Sequence, residues 1–249
     1  MLKEERHHLI LDKIKLSRKV LSTDLSIELN VSEDTIRRDL NDLSAKGLIR
    51  KVHGGALPME TGTLSYGERS NYNLEGKNII AKKAVKLIKS GQVIIMSGST
   101  TNLQLAKIIP SDINATIYTY SLPIALQLTE HPSIEIIFIG GKLHKPAQVT
   151  VGLDVVSSIS ELRADLCFMG TGGINVLNGM TEPDWEVSHI KKCMIAASDK
   201  VIALCTKNKI NEVKRYTVAP IVKIDTIVTD IDPNDPIFIE FKEKGVKII

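Results

Sequence analysis

The sequence has 249 residues, of which 43% are hydrophobic and 24% charged, and a formal net charge of +3. That composition excludes a disordered chain, the length suits two domains that need no disulfide or metal staples, and the small charge decides no partner. Three scattered cysteines, Cys167, Cys193 and Cys205, encode neither a disulfide framework nor a zinc ribbon. The start Met1-Leu2-Lys3-Glu4-Glu5-Arg6 lacks the apolar run of a signal peptide, and no stretch approaches the roughly 20 apolar residues of a membrane span. A reduced, cytoplasmic protein with no membrane partner is expected.

Residues 1 to 57 read as three short helices and a hairpin. The first helix carries Leu9, Ile10 and Ile14 between charges. The second runs from about Thr23 to Leu29, with Ser22 or Thr23 as N-cap and Leu25 and Leu29 on its buried face. Asn30 tolerates the left-handed conformation and can turn the chain, and Val31 can fill the corner. Ser32 is a good N-cap for a third helix, Glu33 and Asp34 suit its first turn, and Ile36, Leu40 and Leu43 form its apolar stripe. Gly47 ends it. Residues 48–52 read as a strand and His53-Gly54-Gly55-Ala56 as a turn, which completes a winged helix-turn-helix.

With that stripe as the core direction, Asp34, Arg38, Asn41 and Ala45 point away from it, and Arg37 lies on one flank. The second helix of such a motif lies in the major groove with its N-terminal part near base edges. Ser32, Thr35, Arg37, Arg38 and Asn41 are therefore candidates for base or phosphate contacts, and Arg50, Lys51 and His53 of the wing for the backbone or minor groove. Charge alone leaves this open, because eleven basic residues face nine acidic ones over this stretch, and Asp39 and Asp42 stand ready to pair with the arginines.

Residues 58–76 lose periodicity and read as a linker. Residues 77–249 alternate helix and strand. Ile80, Ala84, Leu87 and Ile88 mark a helix that Gly91 ends, and short apolar strands are expected at 93–96, 116–118, 134–139, 166–169, 201–204 and 226–228. Such alternation predicts an α/β domain with a mainly parallel sheet covered on both faces. The strand at 93–96 runs into Ser97, Gly98, Ser99, Thr100 and Thr101, then a helix. Small residues there expose backbone N–H groups at the positive end of the helix dipole, which suits a phosphate. Neither a P-loop nor a dinucleotide fingerprint is present, and the histidines, His7 and His8 adjacent and the other four dispersed, offer no metal spacing, so no cofactor is expected. Ser121, Gly140-Gly141-Lys142, Gly170-Thr171-Gly172-Gly173, Lys207 and Lys209 follow other strands. Ligands of open α/β sheets bind beyond the carboxyl ends of the strands, so these loops are expected to converge.

The run Val31-Ser32-Glu33-Asp34-Thr35-Ile36-Arg37-Arg38-Asp39-Leu40, with Gly47-Leu48-Ile49-Arg50-Lys51-Val52-His53-Gly54-Gly55-Ala56, resembles the DNA-binding signature of the DeoR family of bacterial transcription regulators. The resemblance continues less tightly to the end of the chain. It rests there on Gly98-Ser99-Thr100-Thr101, Ser121-Leu122-Pro123, Gly140-Gly141-Lys142, Val151-Gly152, Gly170, Gly179-Met180-Thr181, Glu182-Pro183-Asp184-Trp185-Glu186, Lys192 and Lys209. It implies a winged helix that binds operator DNA as a homodimer or homotetramer, and a second domain similar in fold to ribose-5-phosphate isomerase. It also implies a phosphorylated sugar as effector, its phosphate held by residues 98–101, with Asp184, Glu186, Lys192 and Lys209 lining the pocket. The family is mostly repressors of carbohydrate-metabolism operons. The chain departs from its pattern at Ser97, where an acid is common, and at Thr206-Lys207-Asn208, where Asp-Ser-Ser is common.

The main rival is a sugar-phosphate isomerase with an added DNA-binding domain. Isomerisation needs a carboxylate base. Residues 169–175, which match the isomerases' acid-rich loop, hold no Asp or Glu, though Asp184 and Glu186 remain as bases. A second rival is an assembly module built on the N-terminal helices. The reading preferred is a regulator and not an enzyme.

Overall fold

The computed structural model describes residues 1–17, 19–58 and 66–249, without the side chains of Lys15 and Leu16. The chain divides into two compact units, Met1–Glu68 and Arg69–Ile249. In the first, α1 (Lys3–Ser17) is followed by β1 (Val20–Leu21), α2 (Ser22–Glu28), α3 (Glu33–Ala45), β2 (Ile49–Val52) and β3 (Gly55–Pro58). β3 pairs antiparallel with β2 and also with β1. At two residues β1 is too short to leave an alternating pattern, yet it decides where α2 begins. Ser22 N donates to Gly54 O at 2.8 Å, so the helix starts at Ser22, and Leu21 stands at the N-cap without a side-chain bond. Gly55 permits the pairing, since a Cβ there would lie 2.0 Å from Val20 O.

The turn after α2 follows the sequence reading. Asn30 has φ +50°, and Val31 N donates to Ser26 O at 3.1 Å, which satisfies a terminal carbonyl. Ser32 caps α3 by accepting from Thr35 N at 3.2 Å. Gly47, at φ +69°, ends the chain's path from that helix, with Leu48 N on Leu43 O at 3.0 Å. The core is Ile10, Ile14, Val20, Leu25, Ile36, Leu40, Leu43, Ile49 and Ala56. Leu9 is not part of it and stays exposed, because the buried face of α1 runs through Arg6, His7, Ile10 and Ile14.

The division between the units falls within the segment read as a linker. Of that segment, residues 59–65 lie outside the described residues, and helix α4 (Tyr66–Asn71) and the start of α5 (Leu74–Ala84) occupy its end. The second unit continues with β4 (Val93–Met96), α6 (Thr100–Ala106), β5 (Ala115–Thr119), α7 (Leu122–Leu128), β6 (Ile134–Phe138), β7 (Lys142–His144), β8 (Val149–Val151), α8 (Leu153–Ser160) and β9 (Ala164–Gly170). After these come β10 (Gly173–Asn175), β11 (Gly179–Glu182), α9 (Trp185–Ala196), β12 (Ser198–Cys205), β13 (Tyr216–Ala219), β14 (Thr226–Thr229), α10 (Ile239–Glu243) and β15 (Lys247–Ile248).

Seven strands form one parallel sheet in the order β15-β14-β12-β9-β4-β5-β6. Alternate residues face opposite layers. Ile95, Cys167, Met169, Val201, Ala203 and Ile227 pack against Val155, Ile159, Ile190, Met194, Phe238 and Phe241 of the helices on one side. Ile94, Met96, Leu166, Phe168, Ile202 and Val228 pack against Ile80, Ala84, Leu105, Ile124 and Leu128 on the other. Both faces are covered, as the apolar strand sequences require. From β4 the chain builds outward through β5 and β6. It then returns to the other side of β4 and builds through β9, β12, β14 and β15. The order therefore reverses between β4 and β9, and in such sheets a crevice opens beyond the carboxyl ends at that point. Two small antiparallel sheets, β7-β8 and β10-β11-β13, complete the unit.

Candidate DNA-binding surface and effector site

In the first unit, Ser32, Arg37, Arg38, Asn41, Arg50, Lys51 and His53 are exposed, and Thr35 is half-buried at the helix start. Ser32 Oγ and Thr35 Oγ1 lie 2.9 Å apart. Lys51 Nζ donates to Asn41 Oδ1 at 2.6 Å and ties the wing to α3. Arg37 Nη2 lies 3.3 Å from Glu33 Oε2, and Arg38 Nη2 lies 2.6 Å from Asp34 Oδ2. Exposed i,i+4 pairs of this kind contribute only about 0.3–0.5 kcal/mol, so either arginine can exchange its carboxylate for a phosphate or a guanine edge at little cost.

The acids that pair with these arginines are thus Glu33 and Asp34, and not Asp39 and Asp42. Asp42 takes Lys3 at 2.5 Å in solvent. Asp39 is 2% exposed and faces inward beside Ile36, Leu40 and Leu43. It accepts from Arg6 Nε at 2.5 Å and Arg6 Nη2 at 3.1 Å, and His7 Nε2 lies 3.0 Å away. Its hydrogen bond holds the Arg6 guanidinium above the ordinary arginine value. This buried group fixes α1 to the helix that carries the DNA-contact candidates. A carboxylate three residues beyond Ile36 lies at the edge of the apolar stripe, and that spacing is the signal for it.

In the second unit the loops after β4 and β9 meet at the switch point. Ser97 is fully buried beneath them. Its Oγ accepts from Gly170 N at 2.8 Å and from Asn102 Nδ2 at 3.2 Å, so it ties the two strands together instead of presenting a free hydroxyl. A Cβ on Gly170 would lie 2.2 Å from Ser99 Cβ, and one on Gly98 would lie 2.1 Å from Val149 Cγ1 and 3.5 Å from Ser121 Cβ. Each glycine is thus required by a close approach. Ser99 caps α6 through Asn102 N at 2.9 Å, with Thr100 and Thr101 buried in the first turn. Ser121 is fully buried, and its Oγ has no hydrogen-bond partner in the structure. Tyr120, beside it, is fully buried too, and burial pushes its hydroxyl pKa up.

Lys209 is half-buried and donates to Thr171 O at 2.6 Å. Burial lowers its pKa. Lys192 is exposed, whereas Lys191 is 2% exposed and donates to Gly170 O at 2.7 Å and to Glu182 Oε2 at 2.5 Å. One residue's step on a helix is about 100°, enough to carry Lys192 off the face that Val187, Ile190, Lys191 and Met194 share. Asp184 caps α9 through Val187 N at 2.9 Å, and its Oδ2 lies 3.2 Å from His144 Nε2. Glu186 lies 3.8 Å from Lys142 Nζ, with that lysine largely in solvent. Gly141, at φ +154°, passes under Val151 O and Val155 and serves the β7-β8 hairpin. The structure thus gathers Gly98, Ser99, Thr100, Gly170 and Lys209 with Lys191 and Glu182, to neither of which the sequence reading gives a place in the pocket. It sets Lys142, His144, Asp184 and Glu186 in a second group where β7 meets the start of α9. Among the described residues no cluster of His, Cys, Asp and Glu could hold a metal ion, and no helix is long and apolar enough to cross a membrane.

A helix-turn-helix whose second helix exposes Arg37 and Arg38, joined in one chain to a doubly wound parallel sheet with Lys191 and Lys209 on the carbonyls of Gly170 and Thr171 after β9, has the architecture of a DNA-binding regulator with a sensor domain. The comparisons agree with that class. The model of the DeoR-like helix-turn-helix domain matches residues 6–61, and that of the DeoR C terminal sensor domain matches residues 72–231. The chain is 31% identical to the HTH-type transcriptional regulator GolR of Listeria innocua, over 98% of this chain and 97% of the relative. It is 32% identical to the HTH-type transcriptional repressor GlcR of Bacillus subtilis, over 100% and 96%. Among solved structures, ribose 5-phosphate isomerase A of Methanocaldococcus jannaschii aligns with 55% of each chain at 17% identity and a TM-score of 0.42. The chain belongs to the DeoR family of transcription regulators. Its relatives are named as regulators and not as enzymes, and residues 72–231 are its sensor domain.

Proposed function

We propose that this regulator represses a carbohydrate-metabolism operon and releases its operator when a phosphorylated sugar binds at the crevice between β4 and β9. The observation that carries the site is the meeting of Ser99 with Gly170 at the point where strand order reverses. The loop of residues 98–101 receives the phosphate, with backbone N–H groups and the Ser99 and Thr100 hydroxyls as donors and Lys209 as a cation. Asp184 and Glu186 receive sugar hydroxyls at the other end of the site, beside His144 and Lys142. The protein acts in the cytoplasm as a homodimer or homotetramer. Two or more winged helices then engage repeated operator half-sites, with Ser32, Thr35, Arg37, Arg38 and Asn41 in the major groove and Arg50, Lys51 and His53 on the backbone or minor groove.

A ligand shifts DNA affinity only by its differential affinity for two arrangements of the protein, typically about 1–3 kcal/mol or 5–150-fold. The test is the response of the protein–operator complex to a panel of sugar phosphates before and after Ser99→Ala and Thr100→Ala. Loss of the response with DNA binding intact supports the site. An undiminished response places the effector elsewhere.

A further inference from the structure

Ser121 heads a helix without capping it. It stands at the N-cap of α7, where a serine ordinarily accepts from a backbone N–H of the first turn. Ser32, Ser99 and Asp184 do so at their own helices, through Thr35, Asn102 and Val187. Ser121 does not. Its side chain is fully buried, and its hydroxyl, which can both donate and accept, meets no partner among the described residues. Burying an unpaired hydroxyl costs folding free energy, which a ligand that pairs with it restores on binding. What covers Ser121 is the β7-β8 hairpin. Leu122 N donates to Gln148 O at 3.1 Å and Thr150 N to Tyr120 O at 2.8 Å, one on each side of the bridge between Ser121 and Val149. That is the non-hydrogen-bonded pairing of antiparallel strands, in which the two facing side chains lie close together on one face. Gly98 lies on that face. A Cβ on Gly98 would lie 2.1 Å from Val149 Cγ1 and 3.5 Å from Ser121 Cβ. Gly98 itself is half-buried, whereas Val149 is 1% exposed. The loop after β4, the Val149 isopropyl group and the unpaired hydroxyl thus meet at one point.

We propose that Ser121 donates to the effector's phosphoryl group, and that the group reaches it only when Val149 gives way. This rests on the reading of residues 98–101 as the phosphate loop, and it adds a donor from the loop after β5. A phosphoryl oxygen is a charged acceptor, so its hydrogen bond from a hydroxyl is short and strong. Binding exchanges an unpaired hydroxyl for that bond, a contact made in one position of the hairpin and not in the other. A ligand shifts an arrangement by differential affinity of this kind. The hairpin also holds other parts of the unit. His144 lies 3.2 Å from Asp184 and Lys142 3.8 Å from Glu186 at the start of α9, and Pro146 O, in the turn, accepts from Arg69 Nη2 at 2.7 Å. Arg69 is the first residue of the sensor unit, so a displaced hairpin alters a contact where that unit begins.

The experiment uses the full-length protein and inorganic phosphate, with binding read by calorimetry and stability by thermal unfolding. Ser121→Ala should weaken phosphate binding about tenfold. Without phosphate the same variant should melt at the wild-type temperature or roughly 2–4 °C above it, because the substitution deletes an unpaired buried group. A hydroxyl with a structural partner would instead lower the melting temperature when removed. Val149→Ala, which thins the cover, should tighten phosphate binding severalfold, and should not do so once Ser121 is replaced by alanine. In the wild type, phosphate should speed exchange of the Thr150 amide, which its bond to Tyr120 O protects. If phosphate binding depends on Ser99 and Thr100 while Ser121→Ala leaves it unchanged, or if Ser121→Ala lowers the melting temperature, the proposal is overturned and the loop reading stands. If the wild type binds no phosphate, the loop reading fails and takes this proposal with it.

Discussion

Removing Asp39 tests whether the buried charge group, and not helix propensity, holds the recognition helix in place. Asp39 is 2% exposed and meets three donor nitrogens, on Arg6 and His7, at 2.5, 3.1 and 3.0 Å. Arg6 and His7 are themselves about nine-tenths buried. Asp39→Ala therefore strands a guanidinium in an apolar setting, and breaking a buried pair from one side costs about 3–5 kcal/mol. A unit of about 60 residues has net stability of roughly 3–9 kcal/mol. The loss is comparable to the whole, and at about 4–8 °C per kcal/mol the transition of the first unit should fall by at least roughly 12 °C. The assay is thermal unfolding of the full-length protein, with hydrogen exchange reporting the helices of residues 3–45 and Trp185 fluorescence reporting the sensor unit alone. Helix exchange should rise and DNA affinity should collapse while the Trp185 transition stays in place. Asp42→Ala, which removes an exposed pair with Lys3, should leave both unchanged. A loss below about 1 kcal/mol for Asp39→Ala would refute the reasoning, because it would mean that Arg6 recovers full solvation by a small rearrangement.

Three further outcomes follow from the geometry. Arg37→Ala and Arg38→Ala should each weaken operator binding and, where the side chain meets a phosphate, lower the slope of log affinity against log salt by about one, read by anisotropy across a salt series. Gly170→Ala should abolish the effector response and cost about 1–3 kcal/mol, since the new Cβ would lie 2.2 Å from Ser99 Cβ and must displace the loop; calorimetry and the ligand response check both parts. Lys191→Met should cost about 3–5 kcal/mol by leaving Glu182 unpaired beside Gly170, whereas Lys192→Met should stay within about 0.5 kcal/mol, a contrast that denaturant unfolding resolves.

The sequence shows much of this architecture because its strong signals are local. Ser32 as N-cap, Asn30 and Gly47 as positive-φ stops, and the six apolar strands all depend on a few neighbouring residues. What it hides is non-local. β1 exists only because β3 comes back to pair with it, 35 residues later. The β7-β8 and β10-β11-β13 sheets are built from strands of three or four residues, too short for alternation to register. Asp39 reads as a partner for adjacent arginines until α1 brings Arg6 and His7 to it. Lys191 was accessible in principle, since it stands four residues after Val187 and three before Met194 on one helical face, and only its neighbour Lys192 lies off that face. Strand polarity alone points to the convergence of the loops. The touching of Ser99 and Gly170 requires the reversal of strand order between β4 and β9, which no local pattern states.

The most direct test of the regulator reading is a fluorescence-anisotropy titration of the full-length protein on the DNA upstream of its own gene, at two salt concentrations, with and without a panel of sugar phosphates. The account predicts tight, salt-sensitive and sequence-selective binding that one phosphorylated sugar weakens about 5–150-fold. Binding that no phosphorylated sugar alters, or no preference for that DNA over random sequence, would contradict it.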